Sequence, residues 1–290
     1  MREREPSRTA LAAATHRAVH QVLEDGRVFT DPLAVPIVGD DIDALARKAE
    51  TQPTARSMRL FIAARSRVSE TALAVGVEVR GVRQLVVLGA GLDTFAYRNP
   101  FEGRLRVFEV DHPATQAWKR RRLASAGITI PPSLTFVPVD FERDDLMEAL
   151  ATAGFASVAR TFFAWLGVVP YLTADAVAAT LASIGKLSGG GEVTFDYSDP
   201  PESLSPEARL WRQRRAERVA ALGEPFLTSF EPAELHADLR KFGFDSIEDH
   251  GPASLIRRYI QPDLAADALL PERGGHVILA ATTSTTLGHG

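Results

Sequence analysis

Two glycines and an acid carry the first chemical signal in this chain. Gly89, Ala90 and Gly91 follow the apolar run Leu85-Val86-Val87-Leu88. Glycine at such a point lets the backbone turn where a side chain would clash, and lets a ligand approach the main chain. Asp111 closes a second apolar run, Val107-Phe108-Glu109-Val110, about 20 residues further on, where the ribose-binding carboxylate of a nucleotide fold belongs. Glu109 shares its strand face because side chains alternate, but Asp111 stands at the strand's end. The alternative role for Asp111 is to cap the helix that begins behind His112-Pro113. A dinucleotide fingerprint, G-x-G-x-x-G/A, asks for a third glycine or alanine. Here Thr94 takes that place, and Asp93 stands where a pyrophosphate would rest. A carboxylate repels phosphate and tolerates an amine or sulfonium. The pattern disfavours NAD and favours S-adenosylmethionine, although G-x-G alone is a weak signal.

The elements that must hold these residues follow from apolar periodicity. Short unbroken aliphatic runs read as strands buried on both faces, hence a parallel sheet. Strands are expected at 85–88, 107–111, 134–140, 160–168, 192–197, 244–250 and 276–282. Helices are expected from Ser7 or Thr9 to about 24, at 55–75, 114–126, behind the cap Thr173, at 206–222 and at 232–242, with a short one after the turn at 30–34. This alternation gives an α/β fold whose ligands bind outside the carboxyl ends of the strands, near the point where strand order reverses. One domain is expected: a helical cap (1–80), a cofactor-binding core (81–200), a helical insertion (201–245), then a strand pair and a disordered tail (246–290).

Composition narrows the classes of function. With 290 residues, 45% apolar and 24% charged, the chain has the make-up of an ordinary globular protein. A net charge of −4 indicates no general attraction to nucleic acid or to an anionic membrane. The absence of cysteine excludes disulfides, thiolate metal sites and a cysteine nucleophile. No His, Asp and Glu cluster has metal-ligand spacing, so no metal is expected. The N-terminus lacks a secretory h-region and no run approaches 18 apolar residues, so a cytoplasmic location is expected. The basic run Lys119-Arg120-Arg121-Arg122 reads as a solvated helix face. A homodimer is compatible with the sequence, which does not determine oligomeric state.

LGAGLDTFAYR, VFEVDHP, FVPVDFERDDL and WLGVVPYLT together resemble the leucine carboxyl methyltransferase (PPM) family of class I methyltransferases, including its bacterial branch of small-molecule O-methyltransferases. The resemblance runs over residues 7–244. It implies a Rossmann-like fold with a mostly parallel seven-stranded sheet, helices on both faces and S-adenosyl-L-methionine as cofactor. It further implies that Arg65, in FIAARSRV, binds the cofactor carboxylate, a task that suits a planar guanidinium. Arg17 lies near basic residues that approach the same carboxylate; the alternative is a plain surface arginine. Asp140 with Phe141 would meet the adenine, the alternative for Asp140 being a helix cap near Arg143. With Gly89, Ala90, Gly91 and Asp111 these complete the expected cofactor-binding set. One departure stands out. Many members carry glutamate before the glycine of E-G-x-x-x-Y-L, and this chain has Leu166. Leucine cannot accept a hydrogen bond from an ammonium, so main-chain carbonyls would have to serve.

The function expected is S-adenosylmethionine-dependent O-methylation of a carboxylate or hydroxyl on a small molecule, in secondary metabolism. Such a transfer rests on positioning more than on covalent help, and no catalytic base is identifiable. Trp165, Tyr171, Tyr197 and Trp211 are the aromatic candidates for contact with the acceptor. The arginine-rich stretch 206–222 is either a charged outer helix or a lid that turns Trp211 and one arginine to the pocket. The competing readings are a nicotinamide-dependent oxidoreductase, disfavoured by Asp93 and Thr94, and a catalytically idle cofactor-binding protein, which Leu166 keeps open.

Overall fold

Five parallel strands spread in both directions from the glycine turn. The structure is a computed structural model that describes residues 7–141, 143–260 and 274–283. Helices α1 (Arg8–Leu23), α2 (Ala34–Val38), α3 (Ile42–Glu50) and α4 (Pro53–Val79) precede the sheet. Then follow β1 (Gln84–Leu88), β2 (Arg106–Asp111), α5 (Pro113–Ser125), β3 (Leu134–Pro138), α6 (Leu146–Thr152), β4 (Thr161–Trp165), α7 (Ala174–Gly185) and β5 (Gly191–Ser198). The chain closes with α8 (Pro206–Ala221), α9 (Pro232–Lys241), β6 (Ser246–His250), α10 (Pro252–Tyr259) and β7 (Gly275–Ala281).

The sheet order is β3-β2-β1-β4-β5-β7-β6, with β7 antiparallel to both of its neighbours. The seven-stranded, mostly parallel α/β sheet is as expected. Because β1 pairs with β2 on one side and β4 on the other, the direction of growth reverses at β1. A crevice therefore opens at the carboxyl ends of β1 and β4.

Alternation along the strands divides the core. Val86, Leu88, Phe108, Val110, Phe163 and Trp165 pack with Val177, Leu181 and Leu239 on one face of the sheet. Leu85, Val87, Val107 and Phe162 pack with Leu73 and Val77 of α4 on the other. Trp165 is 0% exposed, which corrects its nomination as an acceptor contact. It lies one residue from Ala164 and Leu166, so the two-residue period turns it to the opposite face from theirs. Trp165→Ala is expected to destabilise the fold by about 3 to 5 kcal/mol, read as a lowered denaturant midpoint.

Several boundaries differ from the sequence expectation for local reasons. Strand β4 stops at Trp165 because Gly167, at φ +74°, turns the chain. Strand β3 stops at Pro138, which has no amide to donate. Behind the glycines the chain forms a 3-10 turn over Phe95–Arg98, whose first amide donates to Asp93 Oδ1 at 2.9 Å. The basic run is not wholly solvated either. Lys119 is buried, with Nζ 2.7 Å from Glu109 Oε2. Helices α3 and α10 occupy stretches given no regular structure by the sequence reading. The sequence reading starts the disordered tail at Thr283, but the Thr283 amide donates to Asp245 Oδ2 at 3.0 Å; residues 284–290 lie outside the described residues. Among the described residues, no helix is long and apolar enough to cross a membrane.

Candidate functional site

A cavity of about 710 Å³ lies over the carboxyl ends of β1, β2, β4 and β5, walled by α1, α4 and α8. That volume falls within the usual range for small-molecule sites, roughly 300 to 1,000 Å³. Its floor is the glycine turn. Gly89 and Gly91 have φ of +64° and +46°, a region that other residues enter at a cost. A Cβ at Gly89 would also fall 2.4 Å from Val168 Cγ2, so conformation and space both demand glycine there.

Asp111 is tied to this turn. Its Oδ2 accepts from the Gly91 amide at 2.5 Å and its Oδ1 from the His112 amide at 2.7 Å. Burial pushes the carboxyl above the usual range, opposed by these two amides. The cap of α5 is His112, whose Nδ1 accepts from the Ala114 amide at 3.2 Å. The capping alternative for Asp111 therefore falls away.

Arg65 and Asp196 form a buried pair on the wall, with Nη1 to Oδ2 at 2.9 Å. The other carboxylate oxygen of Asp196 accepts from the Gly167 amide at 2.5 Å. Asp196 stands near the carboxyl end of β5 and shares the cavity lining with Leu166. The sequence reading passed over it. The pattern Thr194-x-Asp196 at a strand's carboxyl end was the available signal, since both side chains share a face.

Arg17 also reaches the cavity lining, but its guanidinium is engaged. Its Nε donates to Asp31 Oδ2 at 3.1 Å and its Nη2 to the Leu92 carbonyl at 2.6 Å. Thr94 donates to the same Asp31 oxygen at 2.7 Å. The residue in place of a third glycine thus anchors the turn to α1 and to the segment after it. On these contacts Arg17 positions the turn.

Asp140 and Phe141 stand together in the lining. The cap of α6 is Asp145, which accepts from the Glu148 amide at 2.9 Å, so Asp140 does not cap this helix. Tyr171 and Trp211 line the cavity as well, Tyr171 with its ring 5.3 Å from that of Phe226. Tyr197 lies outside the main cavity. Its hydroxyl donates to Asp249 at 2.6 Å and its ring stacks on His276. It borders a second pocket of about 110 Å³ that shares Met58, Pro170, Asp196, Trp211 and Arg215 with the first.

Helix α8 turns Trp211, Arg214, Arg215 and Arg218 to the cavity. The loop behind it is latched to α1: the Glu224 carboxylate accepts from the amides of Arg8 at 3.0 Å and Thr9 at 3.2 Å, and from the Thr9 hydroxyl. A carboxylate at a helix N-terminus is favourable. This contact joins residues 215 positions apart, which no local pattern shows.

His16 faces the cavity from α1. Burial lowers its pKa to about 4, and the charges of Arg59, Arg215 and Arg65 add to that. The folded state therefore resists its protonation. Below about pH 6.5, where the unfolded chain takes up the proton, His16 costs stability increasingly until pH reaches about 4. His16→Gln should flatten the thermal-melting profile between pH 6.5 and 4 and leave neutral pH almost unchanged. Among the described residues, no group of three His, Cys, Asp or Glu could hold a metal ion.

Comparison with known proteins gives the family. Residues 10–185 match the family model of leucine carboxyl methyltransferase. YktD of Bacillus subtilis, provisionally named an S-adenosyl-L-methionine-dependent methyltransferase, is 31% identical over 300 residues, covering 94% of each chain. A Saccharopolyspora erythraea protein with the same provisional name is 36% identical over 188 residues, 63% of this chain and 64% of that one. Among solved structures, one from Thermobifida fusca shares the fold at a TM-score of 0.58 and 17% identity, covering 96% of both chains. Another, from Streptomyces avermitilis, gives 0.54 and 14%, covering 93% of this chain and 97% of that one. The chain belongs to the leucine carboxyl methyltransferase family and is an S-adenosyl-L-methionine-dependent methyltransferase.

Proposed function

We propose that this protein methylates an oxygen, a carboxylate or hydroxyl, on a small molecule of secondary metabolism, as a single cytoplasmic domain. The observation that carries the reading is the second pocket. It is small, it shares five lining residues with the main cavity, and its mostly apolar walls suit a compact acceptor beside the cofactor. Bound S-adenosyl-L-methionine supplies an electrophilic methyl whose leaving group is a neutral thioether.

The chain's own residues bind and orient. Asp111, held by two amides, keeps lone pairs for ribose hydroxyls. Phe141 offers an apolar wall and Asp140 an acceptor for adenine. Arg65 holds the carboxylate at the amino-acid end. We assign the ammonium to Asp196, whose carboxylate lies where Leu166 can offer nothing. This gives the chain its own answer to the missing glutamate and weighs against an idle protein. Arg17 keeps the glycine turn in place. Helix α8 acts as a lid that excludes water, with the Glu224 latch holding it to α1.

Arg65→Ala removes a charge-assisted contact of about 1.5 to 3 kcal/mol, so calorimetry should show S-adenosylhomocysteine binding weakened roughly 10- to 100-fold. The reading as a whole is tested with methyl-labelled S-adenosyl-L-methionine and panels of small carboxylic acids, phenols and amines. Labelled ester or ether is expected. Label on nitrogen or carbon would refute O-methylation.

A further inference from the structure

Among the described residues, no anion is paired with the cation of Arg215, and its guanidinium forms no hydrogen bond. Its guanidinium carbon lies 5.9 Å from the Trp211 ring centre and 5.1 Å from that of Phe226. The carboxylate whose charge acts on Arg215, Asp196, is already bonded to Arg65 and to the Gly167 amide. Arg65 and Arg212 add positive charge nearby. A largely buried guanidinium without a counter-ion is costly. A protein keeps one where a ligand supplies the anion.

Position says which ligand. Arg215 is common to the two cavities, as are Asp196 and Trp211, and so borders the second pocket where it meets the Arg65–Asp196 pair. Beyond it, Phe61, Leu204, Trp211, Phe226 and Ile256 make the second pocket flat-walled and apolar. An apolar protein cavity on the order of 150 Å³ accepts benzene, so the 110 Å³ here suits one ring. We infer that the methyl acceptor is a small aromatic carboxylic acid, with its ring in the second pocket and its carboxylate on Arg215.

This inference rests on the O-methyltransferase reading and narrows it. The acid arrives ionised, so the chain needs no general base, in keeping with the neutral, weakly basic His16. The carboxylate oxygen gains the methyl as the carbon–sulfur bond breaks. The electron pair stays on sulfur and no proton is released. The planar fork of arginine holds the carboxylate in a fixed orientation.

The test titrates wild type, Arg215→Gln and Arg215→Lys, each saturated with S-adenosylhomocysteine. Probes are benzoate, phenylacetate and 4-hydroxybenzoate, each against its neutral amide. Wild type should bind at least one acid tenfold or more tighter than its amide. Arg215→Gln should lose that preference while binding S-adenosylhomocysteine within twofold of wild type, which also shows that the variant folds. Arg215→Lys should recover part of the preference. Failure of every acid to bind wild type, equal binding of acid and amide, or lost S-adenosylhomocysteine binding in Arg215→Gln would overturn the inference. With S-adenosyl-L-methionine present, the preferred acid should become an alkali-labile methyl ester. Acid binding without ester formation would leave the acid site standing and refute the O-methyltransferase reading alone.

Discussion

Asp111→Ala is expected to weaken S-adenosylhomocysteine binding by more than about 100-fold. The carboxylate faces the cavity with each oxygen already fixed by one amide, from Gly91 and His112. Its remaining lone pairs are the ones open to a ligand. Two charge-assisted hydrogen bonds of about 1.5 to 3 kcal/mol each would be lost, and either alone corresponds to tenfold or more. The Gly91 amide would lose its acceptor as well, loosening the turn. Asp111→Asn should also bind poorly, because one of its two groups becomes a donor facing an amide donor. Calorimetric titration reads both variants. Affinity within about threefold of wild type would remove Asp111 from the site.

Glu24→Gln should cost about 3 to 5 kcal/mol of stability, a fall of roughly 5 to 8 °C in Tm. Glu24 is buried at the end of α1 and takes a bidentate pair from Arg59 of α4, at 2.7 and 2.6 Å, with His20 Nδ1 at 3.1 Å. Truncating the charge leaves Arg59 buried without its counter-ion, and that is the expensive event. The pH dependence has a definite sign. Burial alone would raise the Glu24 pKa, but the hydrogen bonds and charges of Arg59 and His20 outweigh it and hold the group at about 2. Its contribution is therefore complete above about pH 4.5 and lost as pH falls toward 2. In the variant this acid-induced loss should vanish from that window. The exposed pair Glu78 and Arg104 serves as a control, since Glu78→Gln should leave Tm unchanged. Because α1 and α4 both wall the cavity, melting of wild type and Glu24→Gln with saturating S-adenosylhomocysteine should show ligand stabilisation preserved where the fold survives.

What could be read from the sequence was local. Leu85 to Leu88 running into Gly89 and Gly91 specifies a buried strand and a turn, and Asp111 lies at a fixed distance along the chain. The α1 cap at Ser7 and the α7 cap at Thr173 follow from residue type. What could not be read depends on which way a side chain turns, or on contacts between distant segments. Trp165 and Asp196 both stand at strand ends, and one residue of alternation sends the first to the core and the second to the cavity. Lys119 looks like one of four solvated basic residues until Glu109 is placed beneath it. Arg17 lines the cavity, and its bonds to Asp31 and the Leu92 carbonyl join segments far apart in the chain. Arg215 is one of several arginines on α8, and only the fold separates it from those at the surface.

The most direct test of the account is a crystal structure of the protein with S-adenosylhomocysteine. The account predicts ribose hydroxyls on Asp111, adenine beside Asp140 and Phe141, the carboxylate on Arg65 and the ammonium on Asp196, with the second pocket left free. Ligand density away from these residues, or an amino-acid end that occupies the second pocket on Arg215, would contradict it.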